Sequence, residues 1–309
     1  MSHKETLKAY NARLDDNNIT LDSVLETINN LPEAGGGETP EKGFIVKACN
    51  ETGYATEVEI IGMNTIPDYA FCVTDTTYST MLTKYLEKIK MSNTITSINM
   101  QSFRGCQILK TVELSDNITT IGVMAFYNCK NLALKKLPNS LISMGNQCFY
   151  DCQNLELTEL PSNLTLIDQL TFYNCKKLNI KTLPDSLTTI KDRGFGNCTG
   201  ISQISMNKVS SIQGNSSAYS PFANCTNLKG IWIGSVITSS GFSRYSFGNC
   251  TGIKKMFIDL PRATVEGFTG YSYAFSNNAV TTSVIVCNDD EGWMTKEEFD
   301  AIDWATYSE

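Results

Sequence analysis

Seven cysteines recur at positions 106, 129, 152, 175, 198, 225 and 250, and each follows a phenylalanine by three residues. A thiol can oxidise to a disulfide, hold a soft metal ion or act as a nucleophile. Nucleophilic and metal chemistry near neutral pH lean on histidine as base or co-ligand. The chain has a single histidine, His3, at its N-terminus. Ser-His-Asp and Cys-His catalysis, and the HExxH zinc site, are therefore excluded from the body of the chain. Asp and Glu pairs occur, but no pattern converges them into a cleft. The reading is non-catalytic, with no cofactor and no metal.

The spacing explains the cysteines in another way. Their intervals are 23, 23, 23, 23, 27 and 25 residues. A fixed period in the twenties marks a solenoid in which each coil is one repeat. An eighth copy ends at Asn278, and degenerate early copies carry Phe71 and Phe103. Aliphatic residues repeat three places after each cysteine (Leu109, Leu132, Leu155, Leu178, Ile201, Leu228, Ile253) and eight places after it (Leu114 to Ile258). Ile121, Met144, Ile167 and Ile190 lie fifteen places after it in the four regular copies. One copy is too small to bury its own core, so neighbours must stack in register about 4.8 Å apart. Phe then lies on Phe in one interior row, and the cysteines form a ladder of buried free thiols. Parallel side chains give the wrong dihedral for disulfides. Pro138, Pro161 and Pro184 lack an N–H and should each end a short strand.

The copy at Cys106–Phe126 reads Cys-x-x-Leu-x-x-Val-x-Leu-x-x-x-Ile-x-x-Ile-Gly-x-x-Ala-Phe. It closely resembles the BspA-type leucine-rich repeat of bacterial surface and interaction proteins, and the resemblance runs over roughly residues 57–287. It implies an α/β leucine-rich repeat solenoid: right-handed, β-rich, with short parallel strands on one side. It also implies binding of proteins or glycans, in some members adhesion. After Cys129, Cys152 and Cys175 the middle aliphatic falls at position five (Leu134, Leu157, Ile180), where neighbouring copies use position six. A one-residue change turns side chains across a strand, so bulges or a displaced strand start are expected there.

The domain reading is a helical or coiled-coil module at 1–34, a flexible linker at 35–43, the solenoid with an N-terminal hairpin cap at 44–287, and a C-terminal cap at 288–309. Residues 3–32 carry apolar side chains at helical steps, interrupted at Asn17. They fit either a coiled coil that joins copies of the chain or a helical hairpin broken at Asp15–Asn18. "FIVKACNETGYATEVEIIGM" reads as two strands around Asn50–Gly53. Residues 72–83 are an insertion relative to the regular copies, and "TTYSTMLTKYLEKI" (76–89) suits a short helix. Thr295 and Glu298 have capping-box spacing ahead of a cap helix.

Charge narrows the partners. Residues 1–43 hold 4 bases and 8 acids, residues 287–309 hold 1 base and 8 acids, and the net charge is −7. A near-neutral body with acidic ends argues against nucleic acid. Lys135, Lys136, Lys176, Lys177, Lys181, Lys254 and Lys255 are spread among acids and read as a solvated surface. No apolar run approaches the roughly 20 residues of a membrane helix, so membrane insertion is not expected. "MSHKETLKAY" lacks the apolar core of a secretory signal. The expectation is a cytoplasmic or virion-associated protein, or a cell-surface one if a leader has been removed.

Binding candidates come from positions the core does not need. The residue seven after each cysteine should face outward, and this column runs Glu113, Lys136, Glu159, Thr182, Ser205, Trp232, Phe257, Ile285. Trp232, Phe257 and Ile285 would form an apolar strip, open to a ligand or covered by the cap helix and Trp293. The longer copies insert "NSSAYSP", "GFSRYS" and "GFTGYSY" ahead of Phe222, Phe247 and Phe275. Their Tyr219, Tyr245, Tyr271 and Tyr273 suit recognition, or else pack on one another. The expected function is a protein or glycan binder acting through its C-terminal half. The alternative is a phage-derived tail or virion component that oligomerises through residues 3–32.

Overall fold

A computed structural model describes residues 43–50, 55–72, 85–214, 219–238, 240–241, 246–268 and 285–308. The expected N-terminal helical module lies outside the described residues, as do residues 76–84 of the expected short helix; the rest of that segment is not helical, and Lys88 and Ile89 instead begin a strand of the sheet. The chain begins with β1 (Gly43–Cys49) and β2 (Ala55–Ile61), an antiparallel hairpin. β2 pairs in parallel with β4 (Lys88–Met91), and β4 with β6 (Thr111–Glu113). The hairpin thus covers the first edge of the sheet, which would otherwise present a row of open backbone groups.

The same face resumes at β11 (Gln203–Met206), β13 (Gly230–Ile233), β14 (Lys255–Ile258) and β15 (Ile285–Cys287), all parallel. Between these sheets lie the three turns with the shifted aliphatic. The bulges or displaced strands expected there are instead a loss of the ladder: an isolated bridge, Thr182 with Ser205, remains, together with single backbone bonds such as Glu156 N–H to Leu134 O at 3.0 Å and Asn179 N–H to Leu157 O at 3.1 Å. Leu134, Leu157 and Ile180 still face the core. Reaching it one residue early puts the following backbone out of phase with β6, and Pro138, Pro161 and Pro184 have no N–H to restore pairing.

A second flank carries two-residue parallel strands. β3 (Thr65–Ile66), β5 (Ser97–Ile98), β7 (Thr120–Ile121) and β8 (Ser143–Met144) form one set. β9 (Leu166–Ile167), β10 (Thr189–Ile190) and β12 (Ser211–Ile212) form the next. Each buries its second residue in the core.

The Phe-x-x-Cys corner is the third side, and its chemistry is regular. Eight rings, from Phe71 through Phe103, Phe126, Phe149, Phe172, Phe195 and Phe222 to Phe247, stack with centroids 5.0–5.7 Å apart. Each Phe carbonyl from Phe103 to Phe222 accepts two hydrogen bonds. Phe126 O takes Cys129 N–H of its own turn at 3.2 Å and the Cys152 thiol of the next at 3.1 Å. The same pairing recurs from Cys106 on Phe71 O to Cys250 on Phe222 O, at 2.9–3.2 Å. The cysteine therefore does more than fit a narrow space: its S–H satisfies the second lone pair of a buried carbonyl.

The residue before each cysteine explains itself too. Asn128, Asp151, Asn174, Asn197, Asn224 and Asn249 have φ between 58° and 62°, and Gly105 has 80°. Only Gly, Asn and Asp enter this left-handed region readily. Asn224 Nδ2 donates to Asn197 Oδ1 at 2.9 Å, and Asn249 Nδ2 to Asn224 Oδ1 at 3.0 Å, which adds a second ladder outside the phenylalanine row.

The ten cysteines from Cys72 to Cys287 are free thiols. Burial pushes the Cys129, Cys148, Cys152, Cys175, Cys198 and Cys250 thiols well above their ordinary value of 9.0. Cys287 is pushed up to about 11 by desolvation, opposed by Arg262. α1 (Arg262–Glu266) and α2 (Lys296–Ala301) close the C-terminal end. The predicted capping box is present: Glu298 N–H donates to Thr295 Oγ1, and Thr295 N–H to Glu298 Oε2 at 2.7 Å.

A raised thiol pKa means that the fold favours the protonated form. Its contribution is complete below the ordinary value of 9.0 and is lost as pH climbs above it toward the folded value. Denaturation midpoints should stay level from about pH 7 to 8.5 and fall beyond about pH 9. Cys152→Ser, which keeps a donor, should fall less steeply. Asn197→Val should cost about 1–2 kcal/mol more than Asn197→Gly in chemical denaturation, because both lose the amide ladder and only valine strains the backbone.

Candidate functional site

The outward column of the C-terminal sheet is Ser205, Trp232, Phe257 and Val286, in direct register. Val286 replaces Ile285 in the expected strip. Strand β15 starts one residue later relative to Asn278, so Ile285 pairs with Met256 and joins the main core. Trp232 and Phe257 are 3% and 1% exposed, so they offer no open surface. The cap lies over them, which is the second of the two arrangements the sequence allowed. Phe299 of α2 sits 5.9 Å from Trp232 and 5.8 Å from Phe257, and Trp293 sits 5.0 Å from Trp232. Trp304 stacks behind Phe299 at 5.0 Å.

The sheet is shaped to receive this cap. A Cβ on Gly230 would come within 2.3 Å of the Trp304 ring, so glycine is required by space and not by backbone angle. Ser205 Oγ donates to Asp300 Oδ1 at 2.7 Å. Lys229 Nζ donates to the carbonyls of Ala305 and Tyr307, both at 2.8 Å. Trp232 Nε1 and Gln203 Oε1 are buried beneath with no partner among the described residues. Such a cost, about 1–3 kcal/mol each, is offset by the aromatic burial around them. Beside the cap, Phe257, Ile285, Val286, Met294 and Tyr307 share a cleft of about 510 Å³ with Lys255 and Arg262. Arg262 is held by both oxygens of Asp290, and this pairing draws the Asp290 carboxyl below its ordinary range.

Tyr219 is 48% exposed. Tyr245, Tyr271 and Tyr273 lie outside the described residues. Tyr219 continues a row that the sequence reading did not single out. The Arg193 guanidinium lies 4.2 Å from the Tyr219 ring and 5.5 Å from Tyr173. Tyr173 stacks on Tyr150 at 5.0 Å, Tyr150 on Tyr127 at 4.6 Å, and Arg104 lies 5.4 Å from Tyr127. The signal was in the motif itself: "AFYNC", "CFYDC" and "TFYNC" each place tyrosine directly after the core phenylalanine. Later turns carry Gly196, Ala223 and Gly248 there, so the fold does not demand tyrosine. Half-burial by its neighbours raises the Tyr150 phenol, with desolvation the leading cause.

The remaining outward positions are charged. On the N-terminal sheet Lys88 pairs with Glu57 and Glu113 at 3.0 and 3.1 Å. Lys47 and Lys90 share Glu59 at 2.8 and 2.7 Å, and their hydrogen bonds lower its carboxyl pKa. Lys135, Lys136, Lys176 and Lys181 are exposed, while Lys177 pairs with Glu156 at 3.3 Å. Among the described residues no three metal-ligating side chains converge, and no helix is long and apolar enough to cross a membrane.

The sequence matches the family described as "BspA type Leucine rich repeat region" in six copies, over residues 64–202 and 165–290. Together these span 227 of the 309 residues. Comparison with curated proteins returned no match. Among solved structures, a leucine-rich repeat protein from Bacteroides ovatus is 22% identical, with 75% of this chain and 63% of that chain covered and a TM-score of 0.45. The T. pallidum leucine-rich repeat protein is 18% identical, over 79% of this chain and 100% of that one, at 0.44. A leucine-rich cell surface protein from Faecalibacterium prausnitzii is 19% identical, over 89% and 98%, at 0.36.

The cap is a stability element. Trp304→Ala should destabilise the protein by about 3–5 kcal/mol and leave Trp232 open to solvent. Chemical denaturation and the red shift of tryptophan emission measure both effects.

Proposed function

The chain belongs to the BspA-type leucine-rich repeat family, and from that premise we propose that it is a non-catalytic interaction protein whose solenoid binds a protein or glycan ligand. The observation that carries this reading is the row Arg104–Tyr127–Tyr150–Tyr173–Arg193–Tyr219 along the corner of successive turns. Tyrosine and arginine are the side chains enriched where a few contacts dominate binding energy. Their mutual stacking fixes the rotamers beforehand, so little conformational entropy remains to be lost on contact. The C-terminal half of the sheet face is taken by the cap, which directs recognition to the corner and to the inserted loops. Those loops bring Tyr245, Tyr271 and Tyr273 to the same reading, with adhesion as the role it would serve. Trp232 and Phe257 contribute only by supporting the cap.

The phage-derived alternative rests on oligomerisation through residues 3–32. Light scattering on the full chain and on residues 40–309 separates the two, since loss of a stable oligomer on truncation favours the alternative.

A protein and glycan array identifies the ligand. Against it, Tyr127→Ala with Tyr173→Ala, or Tyr245→Ala with Tyr271→Ala, should weaken binding at least tenfold, or about 1.4 kcal/mol. Tyr219→Ala alone should shift the melting temperature by no more than about 1–2 °C. Full retention of binding in all these variants would remove the tyrosines from the reading.

A further inference from the structure

The second flank holds a cleft of about 430 Å³ lined by Asn146, Asp168, Gln169, Lys191, Asp192 and Gln213. These residues directly follow the two-residue strands. Asp168, Lys191 and Gln213 come one residue after Ile167, Ile190 and Ile212, which are in register. Asn146, Gln169 and Asp192 stand one place further on in their turns. Two adjacent columns thus supply three amides, two carboxylates and one ammonium from neighbouring turns.

The fold does not require this composition. In the two preceding turns the same places are Asn99 and Met100, then Gly122 and Val123. Met100 and Val123 are 36% and 39% exposed. Apolar side chains are therefore accepted there, and the polar set is particular to the turns around the cleft.

The groups are only partly used by one another. Asp168 Oδ1 accepts Gln169 N–H at 2.7 Å and lies 3.0 Å from Lys191 Nζ. Asn146 Nδ2 donates to Gln169 Oε1 at 3.4 Å, and Gln213 Nε2 to Ser211 Oγ at 3.2 Å. Asn146 Oδ1 is shielded from solvent and has no partner among the described residues.

We propose that this cleft binds a neutral saccharide. The inference rests on the reading of the chain as a binding protein and assigns a glycan to this site. Asp168 and Asp192 oppose an anion, Lys191 opposes a simple cation, and polar walls oppose a hydrocarbon. A sugar hydroxyl both donates and accepts, so it can donate to the Asp168 carboxylate and accept from Lys191 together. Neighbouring hydroxyl pairs match the two-atom ends of carboxylates and amides. Among the described residues no aromatic side chain lines the cleft, so a single site is weak, with Kd on the order of a millimolar, and strength comes from presenting several sites.

The test uses the full chain on a broad glycan array. Saturation-transfer NMR follows with maltotetraose and chitotetraose, with and without calcium. Retention of a neutral glycan, and at least about a tenfold loss of affinity in Gln169→Ala and in Lys191→Ala with unchanged melting temperature, is the expected result. Tyr219→Ala should leave saccharide binding intact. Absence of any neutral glycan from the bound set, or binding indifferent to both substitutions, overturns the proposal; so does uptake of calcium alone. A protein ligand lost in the tyrosine variants, with no sugar bound, would sink the saccharide site and leave the broader reading standing.

Discussion

One carbonyl per turn governs this molecule. The phenylalanine carbonyl at the corner receives an N–H from its own turn and a thiol from the next. The first bond shapes the turn, and the second fixes its height against its neighbour. A slip of one turn against the next would break the second bond, deep in the core where water cannot substitute. The stacked rings, the left-handed asparagines and the interior aliphatic rows all follow from that shared acceptor. None of them would align if adjacent turns could slide.

Because the core is satisfied by inward positions, outward positions are free to differ along the chain. The N-terminal sheet face uses them for alternating ion pairs such as Lys88 with Glu57 and Glu113. The C-terminal face uses them to seat Phe299 and Trp304. The corner carries stacked tyrosines, and the second flank carries amides and carboxylates. Four different surfaces therefore share one interior, and the proposed binding roles fall on the last two.

Period, phenylalanine row, hairpin and capping box were all legible in the sequence, because each depends on spacing along the chain. The Trp232–Phe257 strip was legible as a direction but not as a fate: docking of α2 joins residues about 40–70 apart, which no local pattern encodes. Ile285 was misplaced by one residue because the last copy is longer before its strand. The shift of Leu134, Leu157 and Ile180 signalled a disturbance, yet its extent depended on prolines acting in three consecutive turns. Asparagine before cysteine and tyrosine after phenylalanine were in plain view. They were overlooked because the core pattern drew attention to the two residues that bracket them.

The gap between the two sheets has a mechanical meaning. Both ends of the solenoid are stitched along one side by continuous ladders, while the three central turns are joined there by isolated bonds only. The corner runs on through this region, whereas the ladder of the second flank also breaks here, between β8 and β9. A rod fastened along one edge and slack along the other two bends most easily about the fastened edge. The middle of the molecule is accordingly its softest joint, and its curvature there can adjust without disturbing the stacked rings.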